Sequence, residues 1–188
     1  MLATGRSKND EAVKRRDLRL QLCCERITGQ SQEDGFVSRD MERGIELEPA
    51  AFSAYESLTG EVVSRSGFLA DDVWAIGCSL DGHVGDYEGI LEIKCPKSAT
   101  HVGYLRAGVV PAAYLPQILH NLWVSGAAWC DFLSYDPRLG AGLETFLVRV
   151  PRDEVAIAAY RLKALAFLRE VDDEVAELTG MRREVAVA

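Results

Sequence analysis

At Gly60 the spacing of apolar residues changes from helical, about 3.6, to alternating, about 2, so any fold open to this chain places strands directly after a helix. Before it, residues 40–60 carry Ile45, Phe52, Tyr55 and Leu58 at helical spacing. Gly60 is the stop, and Pro49 is expected to bend the segment or start a turn within it. After it come three short runs rich in β-branched and aromatic residues, 61–68, 73–80 and 89–95. Asp71-Asp72 and Asp81-Gly82 with Gly85 mark turns between them, the pattern of an antiparallel meander.

The flanks follow the same reading. Residues 9–29 form a helix with Ala12, Leu18, Leu20, Leu22, Cys23 and Ile27 as its apolar face, capped by Asn9 or Asp10 and closed by Gly29; 31–37 is a polar loop. Residues 96–108 read as a loop and 112–125 as a helix ended by Gly126. Strands at 128–135 and 143–150 flank an Asp136-Pro137 turn, and a final helix runs from 152 to about 179. The order αα-βββ-α-ββ-α, with no repeat, low-complexity tract or linker, predicts one α/β domain over residues 1–188.

Composition narrows the function. The 188 residues, 48% hydrophobic and 27% charged, suffice for a buried core. No eighteen-residue apolar run occurs and the N-terminus is polar and basic, so neither a membrane span nor a signal peptide is expected, and a cytoplasmic location is. None of the five cysteines forms a C-x-x-C pair, and His83, His101 and His120 lie far apart. A zinc or iron–sulfur site is therefore disfavoured, and any metal should be oxygen-bound. The net charge of -8 speaks against a generic duplex-binding surface, yet it is unevenly spread: +3 over residues 1–30 and -7 over 31–80. Such an acidic block fits either a carboxylate metal site or a solvated helix face.

One constellation carries chemistry. Asp81 is followed eleven positions later by Glu92-Ile93-Lys94-Cys95-Pro96. In a strand Glu92 and Lys94 share a face while Ile93 points into the opposite, apolar layer, and a hairpin brings Asp81 beside them. Two carboxylates held together are costly unless a cation lies between them. Mg2+ suits hard oxygen ligands: Asp81, Glu92 and the carbonyl of Ile93, with Mn2+ as a possible substitute. Lys94 is then placed to orient the attacking water and offset charge on a scissile phosphate, which is metal-assisted phosphodiester hydrolysis. As a bare pattern, the same residues also fit an exposed ion pair on an edge strand and a hairpin turn at Asp81-Gly82.

The residues resemble a family. Asp81 with Glu92-x-Lys94 matches the PD-(D/E)xK nuclease signature, and its surroundings resemble the YqaJ-type viral recombinases, the phage lambda exonuclease family. Five blocks carry the likeness in the family's order over residues 41–138: Arg43-Gly44-Ile45-Glu46-Leu47-Glu48-Pro49, Ser79-Leu80-Asp81-Gly82, Leu91-Glu92-Ile93-Lys94-Cys95-Pro96, Ala113-Tyr114-Leu115-Pro116-Gln117 through Trp123, and Ser134-Tyr135-Asp136-Pro137-Arg138. The resemblance implies a restriction-endonuclease-like α/β core, a mixed β-sheet flanked by helices. It implies Asp81 and Glu92 as metal ligands and Lys94 as the catalytic lysine. Glu48 corresponds to a helix glutamate near the metal, and Gln117 to a glutamine that positions the nucleophilic water.

It further implies a Mg2+-dependent 5′-to-3′ exonuclease on double-stranded DNA ends that leaves 3′ single-stranded tails. A ring-shaped homotrimer, a single-strand annealing protein as partner, and the cytoplasm of a bacterium or phage-infected host come with it. A ring holds DNA topologically and relaxes the need for a basic surface, in keeping with the acidic charge. Two alternatives stay open: a structure-specific or restriction-like endonuclease, and a catalytically inactive DNA-end-binding subunit. Family members typically begin with a helix whose arginine and serine bind the terminal 5′ phosphate. This chain opens Met1-Leu2-Ala3-Thr4-Gly5 with no matching residue, and Thr100 stands where lambda-type enzymes carry an arginine, so that helix is expected to be absent.

Lys97, Ser98, Thr100 and Arg106 are candidate phosphate contacts, with a solvated loop as the alternative. Glu46 is expected in solvent, His120 as a hydrogen-bonded core histidine, Trp123 and Trp129 in the core, and the cysteines as small buried apolar residues.

Overall fold

A computed structural model describes residues 12–185 apart from 33, 34, 36, 37, 72 and 141. In chain order its elements are α1 (Val13–Thr28), α2 (Arg39–Thr59), β1 (Val63–Arg65), β2 (Phe68–Asp71), β3 (Ile76–Ser79), β4 (Gly82–Val84), β5 (Gly89–Lys94), α3 (Ser98–Ala107), α4 (Leu115–Ser125), β6 (Trp129–Tyr135), β7 (Thr145–Pro151) and α5 (Glu154–Val185). They fall into two compact units, divided after Phe36 and after Tyr160. The expected Asn9 or Asp10 cap and the expected absence of the family's N-terminal helix concern residues outside those described; Ala12 holds the N-cap position of α1, without a side-chain cap bond.

The first unit pairs α1 with the part of α5 from Arg161 onward. Arginines of α1 meet acidic residues of α5: Arg15 bonds Glu170 at 2.8 Å, Arg19 pairs with Glu174 and Arg26 with Asp172. Arg15 also lies 4.9 Å over the Phe167 ring.

The second unit is built on a five-stranded mixed sheet in the order β1-β4-β5-β6-β7, with β2 and β3 as a separate hairpin. The parallel β5–β6 pair requires a crossover, and α3 and α4 supply it. One face of the sheet buries Ile90, Phe132 and Phe146 with Ile118 and Leu122 of α4. The other buries Leu91, Ile93 and Leu133 against Ala51, Phe52 and Tyr55 of α2. β5 is thus covered on both faces.

Four expectations need correcting. The three-strand meander is five strands: the predicted 73–80 strand contributes β3, which pairs with β2 rather than with the main sheet. Asp81-Gly82 is not the hairpin turn; Gly82 starts β4, and the turn lies at 85–88, where Gly85 (φ 59°) and Tyr87 (φ 61°) take left-handed backbone. Residues 96–108 are not a loop but contain α3, which carries little helical periodicity of its own. It is held by the buried His101, whose ring bridges Ser134 Oγ (2.7 Å) and the Leu143 carbonyl (3.0 Å). Pro49 neither ends α2 nor starts a turn. The carbonyl that loses its partner belongs to exposed Ile45, where water can take the bond, while burial of Ala51, Phe52 and Tyr55 carries the helix through.

Among the described residues no helix is long and apolar enough to cross a membrane.

Candidate active site

The site grows from the place where β5 outruns β4. The two strands pair antiparallel with Gly82 opposite Leu91, so the register extended by one residue sets Asp81, just before β4, opposite Glu92, and its side chain reaches the next residue, Ile93. Its side chain continues the ladder that the backbone has left, Oδ2 accepting the N–H of Ile93 at 2.6 Å. Gly82 lets β1 and α2 pack close on the start of β4: a Cβ there would lie 2.6 Å from Val63 and 2.9 Å from Phe52. The N–H and C=O of a strand residue face the same neighbour, so the Ile93 carbonyl leaves β5 on the Asp81 edge.

Glu92, on the opposite face of β5 from Ile93, is 1% exposed. Oε1 accepts from the Lys94 ammonium and from Gln117 Nε2 (2.8 Å), and Oε2 accepts from Asn121 Nδ2 (3.1 Å). The Lys94 ammonium also sits 5.5 Å from the Tyr114 ring centre. Gln117 and Asn121 are one helical turn apart on α4, so one face of that helix delivers both amides to one carboxylate.

The charges are not at rest. Burial pushes the Asp81 carboxyl above the ordinary carboxylate range, against the Ile93 N–H and Lys94. Burial does the same to Glu92, opposed by Lys94 and reinforced by the charge of Asp81. For Lys94, burial acts against the ammonium, but Glu92 and Asp81 outweigh it and raise its pKa. Two carboxylates therefore share one side-chain cation.

Asp81 and Lys94 face a cavity of about 690 Å³, with Glu92 behind them; its lining is completed by Ile93, by Asp40, Arg43 and Glu48 from α2, and by Cys95, Lys97, Thr100 and Tyr114. That volume suits a mononucleotide-sized guest. Glu48 lies on the wall 3.6 Å from Arg65, and Arg43 donates to the Cys95 carbonyl at 2.8 Å. Lys97 is 3.3 Å from Asp40. Burial lifts the Cys95 thiol to about 11, which removes it as a thiolate nucleophile.

The structure thus gathers Asp81, Glu92, Ile93, Lys94, Glu48, Lys97 and Thr100 at or directly behind one cavity, with Gln117 bonded to Glu92. Two candidate phosphate contacts fall elsewhere. Ser98 gives its hydroxyl to the buried Asp136, and Arg106 is exposed in the last turn of α3, outside the cavity lining. His120 is a core histidine, with Nε2 at 3.0 Å from the Gly77 carbonyl and its ring against Trp123 and Tyr160. Cys24 corrects the expectation of buried cysteines: it is exposed, and Cys95 is half-buried at the cavity wall. Glu46 is exposed. Asn121 and Tyr114 join the site without being among the residues that the sequence marks for it. The one sequence signal for Asn121 is its position four residues after Gln117, an amide in an apolar helix stripe.

The donor set fits a hard divalent cation. Among the described residues no three His, Cys, Asp or Glu side chains converge, so a cation here would rest on two carboxylates and a carbonyl. Asp81 and Glu92 are mutually repelling with a single ammonium between them, the imbalance such an ion removes.

Comparison with known proteins gives the family and the fold. The model of the YqaJ-like viral recombinase domain matches residues 6–128. An alkaline exonuclease from Laribacter hongkongensis is 34% identical over 100% of this chain and 90% of its own, with a TM-score of 0.84. The same exonuclease in complex with dAMP superposes equally, at 35% identity over 95% of this chain and 89% of its own, TM-score 0.84. A phage-related exonuclease from Haemophilus somnus shares the fold at 15% identity and a TM-score of 0.64, over 94% of this chain and 92% of its own. No curated protein matches the chain.

Proposed function

The chain belongs to the YqaJ-like viral recombinase family, and on that premise we propose that it is a Mg2+-dependent exonuclease that degrades double-stranded DNA from its ends, 5′ to 3′, leaving 3′ single-stranded tails. The observation that carries the reading is the junction of Asp81, Ile93 and Lys94 on one cavity wall with Glu92 bonded to Lys94 behind it, in a chain similar over its whole length to an alkaline exonuclease. That relative's complex with dAMP, a deoxynucleoside monophosphate, supports a DNA substrate.

Asp81, Glu92 and the Ile93 carbonyl are the groups that would hold Mg2+, with Mn2+ as a substitute. Bound there, the ion supplies Lewis-acid polarisation of the scissile phosphodiester. Lys94, kept charged by Glu92 and Asp81, hydrogen-bonds the attacking water and offsets charge gathering on the phosphate oxygens. The water oxygen bonds to phosphorus, the P–O bond to the departing nucleotide breaks, and a proton from water ends on the released oxygen. Gln117 holds Glu92 in place through its amide, and Glu48 faces the reaction from α2. Lys97 and Thr100 line the cavity where phosphates of the substrate strand would pass.

The same reading includes a ring-shaped homotrimer around duplex DNA, a single-strand annealing protein receiving the tail, and action in the bacterial or phage-infected cytoplasm. A plasmid assay tests the core of it. Linear duplex labelled at its 5′ ends is expected to disappear in Mg2+ with early release of label, while closed circles survive. Nicked circles would point to an endonuclease, and no Mg2+-dependent loss to an inactive end-binding subunit.

A further inference from the structure

We propose that Asn121 is a positioning residue that sets the metal affinity of the site by fixing Glu92; the inference rests on the reading of Asp81 and Glu92 as the metal-holding carboxylates. A carboxylate offers about four acceptor positions. In Glu92 two donors take Oε1, the Lys94 ammonium and the Gln117 amide, and Asn121 takes one position on Oε2 at 3.1 Å. Among the described residues no other donor reaches this carboxylate, so a single acceptor position, on Oε2, stays open to a cation. Without Asn121 the carboxylate is tethered through one oxygen only and is free to swing about it.

The placement of Asn121 is costly unless it serves Glu92. It is 2% exposed, set between the fully buried Ile118 and Leu122 in the stripe that α4 packs onto the sheet, where an apolar residue would bury without penalty. Its amide reaches the buried acid from behind, on the side away from solvent, whereas Gln117 approaches from the exposed end of the same helix face. Hydrogen-bond partners that orient a ligating carboxylate are worth roughly 10- to 100-fold in metal affinity.

The test is a Mn2+ titration of the full chain without DNA, read from the electron paramagnetic resonance of free Mn2+, on wild type, Asn121→Ala, Asn121→Ser, Asp81→Ala and Glu92→Ala. Circular-dichroism melting reports folding of each. Asn121→Ala is expected to weaken Mn2+ binding about 10- to 100-fold and to raise the Mg2+ needed for half-maximal hydrolysis by a similar factor, with much of kcat regained at saturating metal. Should Asn121→Ala fail to fold, Asn121→Ser carries the test and is expected to weaken binding in the same direction. A folded variant that melts lower but binds Mn2+ as wild type does would overturn the positioning role and leave Asn121 structural. Undiminished Mn2+ binding by Asp81→Ala and Glu92→Ala would instead refute the metal-site reading on which the inference stands.

Discussion

Two acids on neighbouring strands, Glu92 of β5 and Asp131 of β6, are both 1% exposed, yet they live in opposite electrostatic circumstances. Asp131 faces α2: Arg149 grips both of its oxygens at 2.8 Å, the Tyr55 hydroxyl donates to it at 2.8 Å, and Arg149 in turn stacks 3.5 Å from the Trp129 ring. One anion meets one cation, and the account is closed within the chain. Glu92 faces α4 with Asp81 nearby, and two anions share Lys94. Burial is the same in both places; the difference is whether the protein's own charges balance. Closed balance marks a structural pair, and the open one leaves room for an ion from solution.

The largest expected contrast is in activity. Under the proposed mechanism, Lys94→Ala or Glu92→Ala should lower kcat by about a thousandfold or more, because the first removes the cation that offsets charge developing in the transition state and the second removes a ligand of the ion. Arg149→Ala should leave kcat within a few-fold of wild type wherever the variant is folded. Steady-state digestion of linear duplex DNA measures both, and comparable losses in the two would erase the distinction.

Stability should reverse the order. Arg149→Ala strands a buried carboxylate and is expected to cost about 3 kcal/mol in a urea titration, the low end for a broken buried pair because the guanidinium is itself half-exposed. Asp81→Asn removes one of two repelling acids whose ionisation the fold disfavours. It should raise the stability of the metal-free protein by about 1 kcal/mol, or 2–4 °C in melting temperature for a chain of this size, while abolishing hydrolysis. A metal-free Asp81→Asn protein that melts below wild type would show that the pair is not strained.

The smallest effect is in acid. Asp136 is fully buried, and the Arg138 guanidinium, with Ser98, holds its carboxyl well below the usual range. A lowered folded-state pKa gives stability that is present above the ordinary aspartate value, about 4, and lost as the pH falls through the folded value. Asp81 and Glu92, raised, act the other way: their contribution is present below the ordinary carboxylate range and lost as the pH climbs through their folded values. Arg138→Ala should therefore move the acid-unfolding midpoint to higher pH, whereas Asp81→Asn should flatten the loss of stability as the pH rises from the ordinary carboxylate range. An unchanged acid midpoint in Arg138→Ala would assign Asp136 to its other partners.

Sequence patterning resolved those parts of the molecule whose burial is one-sided or strongly periodic. Leu115, Ile118, Leu119 and Leu122 outline α4, the β-branched runs outline β5, β6 and β7, and the Asp81, Glu92 and Lys94 spacing marks the cluster on its strand. What escaped it depends on distant partners. α3 has a weak apolar stripe and is anchored by His101 reaching Ser134 and Leu143. β4 spans only Gly82–Val84, and its glycine reads as a turn until Phe52 and Val63 are seen packed against it. The tie between Asn121 and Glu92 crosses from helix to strand over 29 positions, where no local periodicity reports a contact. The arginines of α1 look like solvent-facing charge because their acids lie in α5, far along the chain.

The most direct measurement is Mg2+-dependent release of acid-soluble nucleotide from linear duplex DNA by wild type and by the folded Asp81→Asn chain, side by side. We expect rapid release by wild type, none in chelator, and none above background from Asp81→Asn. Wild-type release by Asp81→Asn would contradict the account, since phosphodiester cleavage would then not need the acid at the edge of β5.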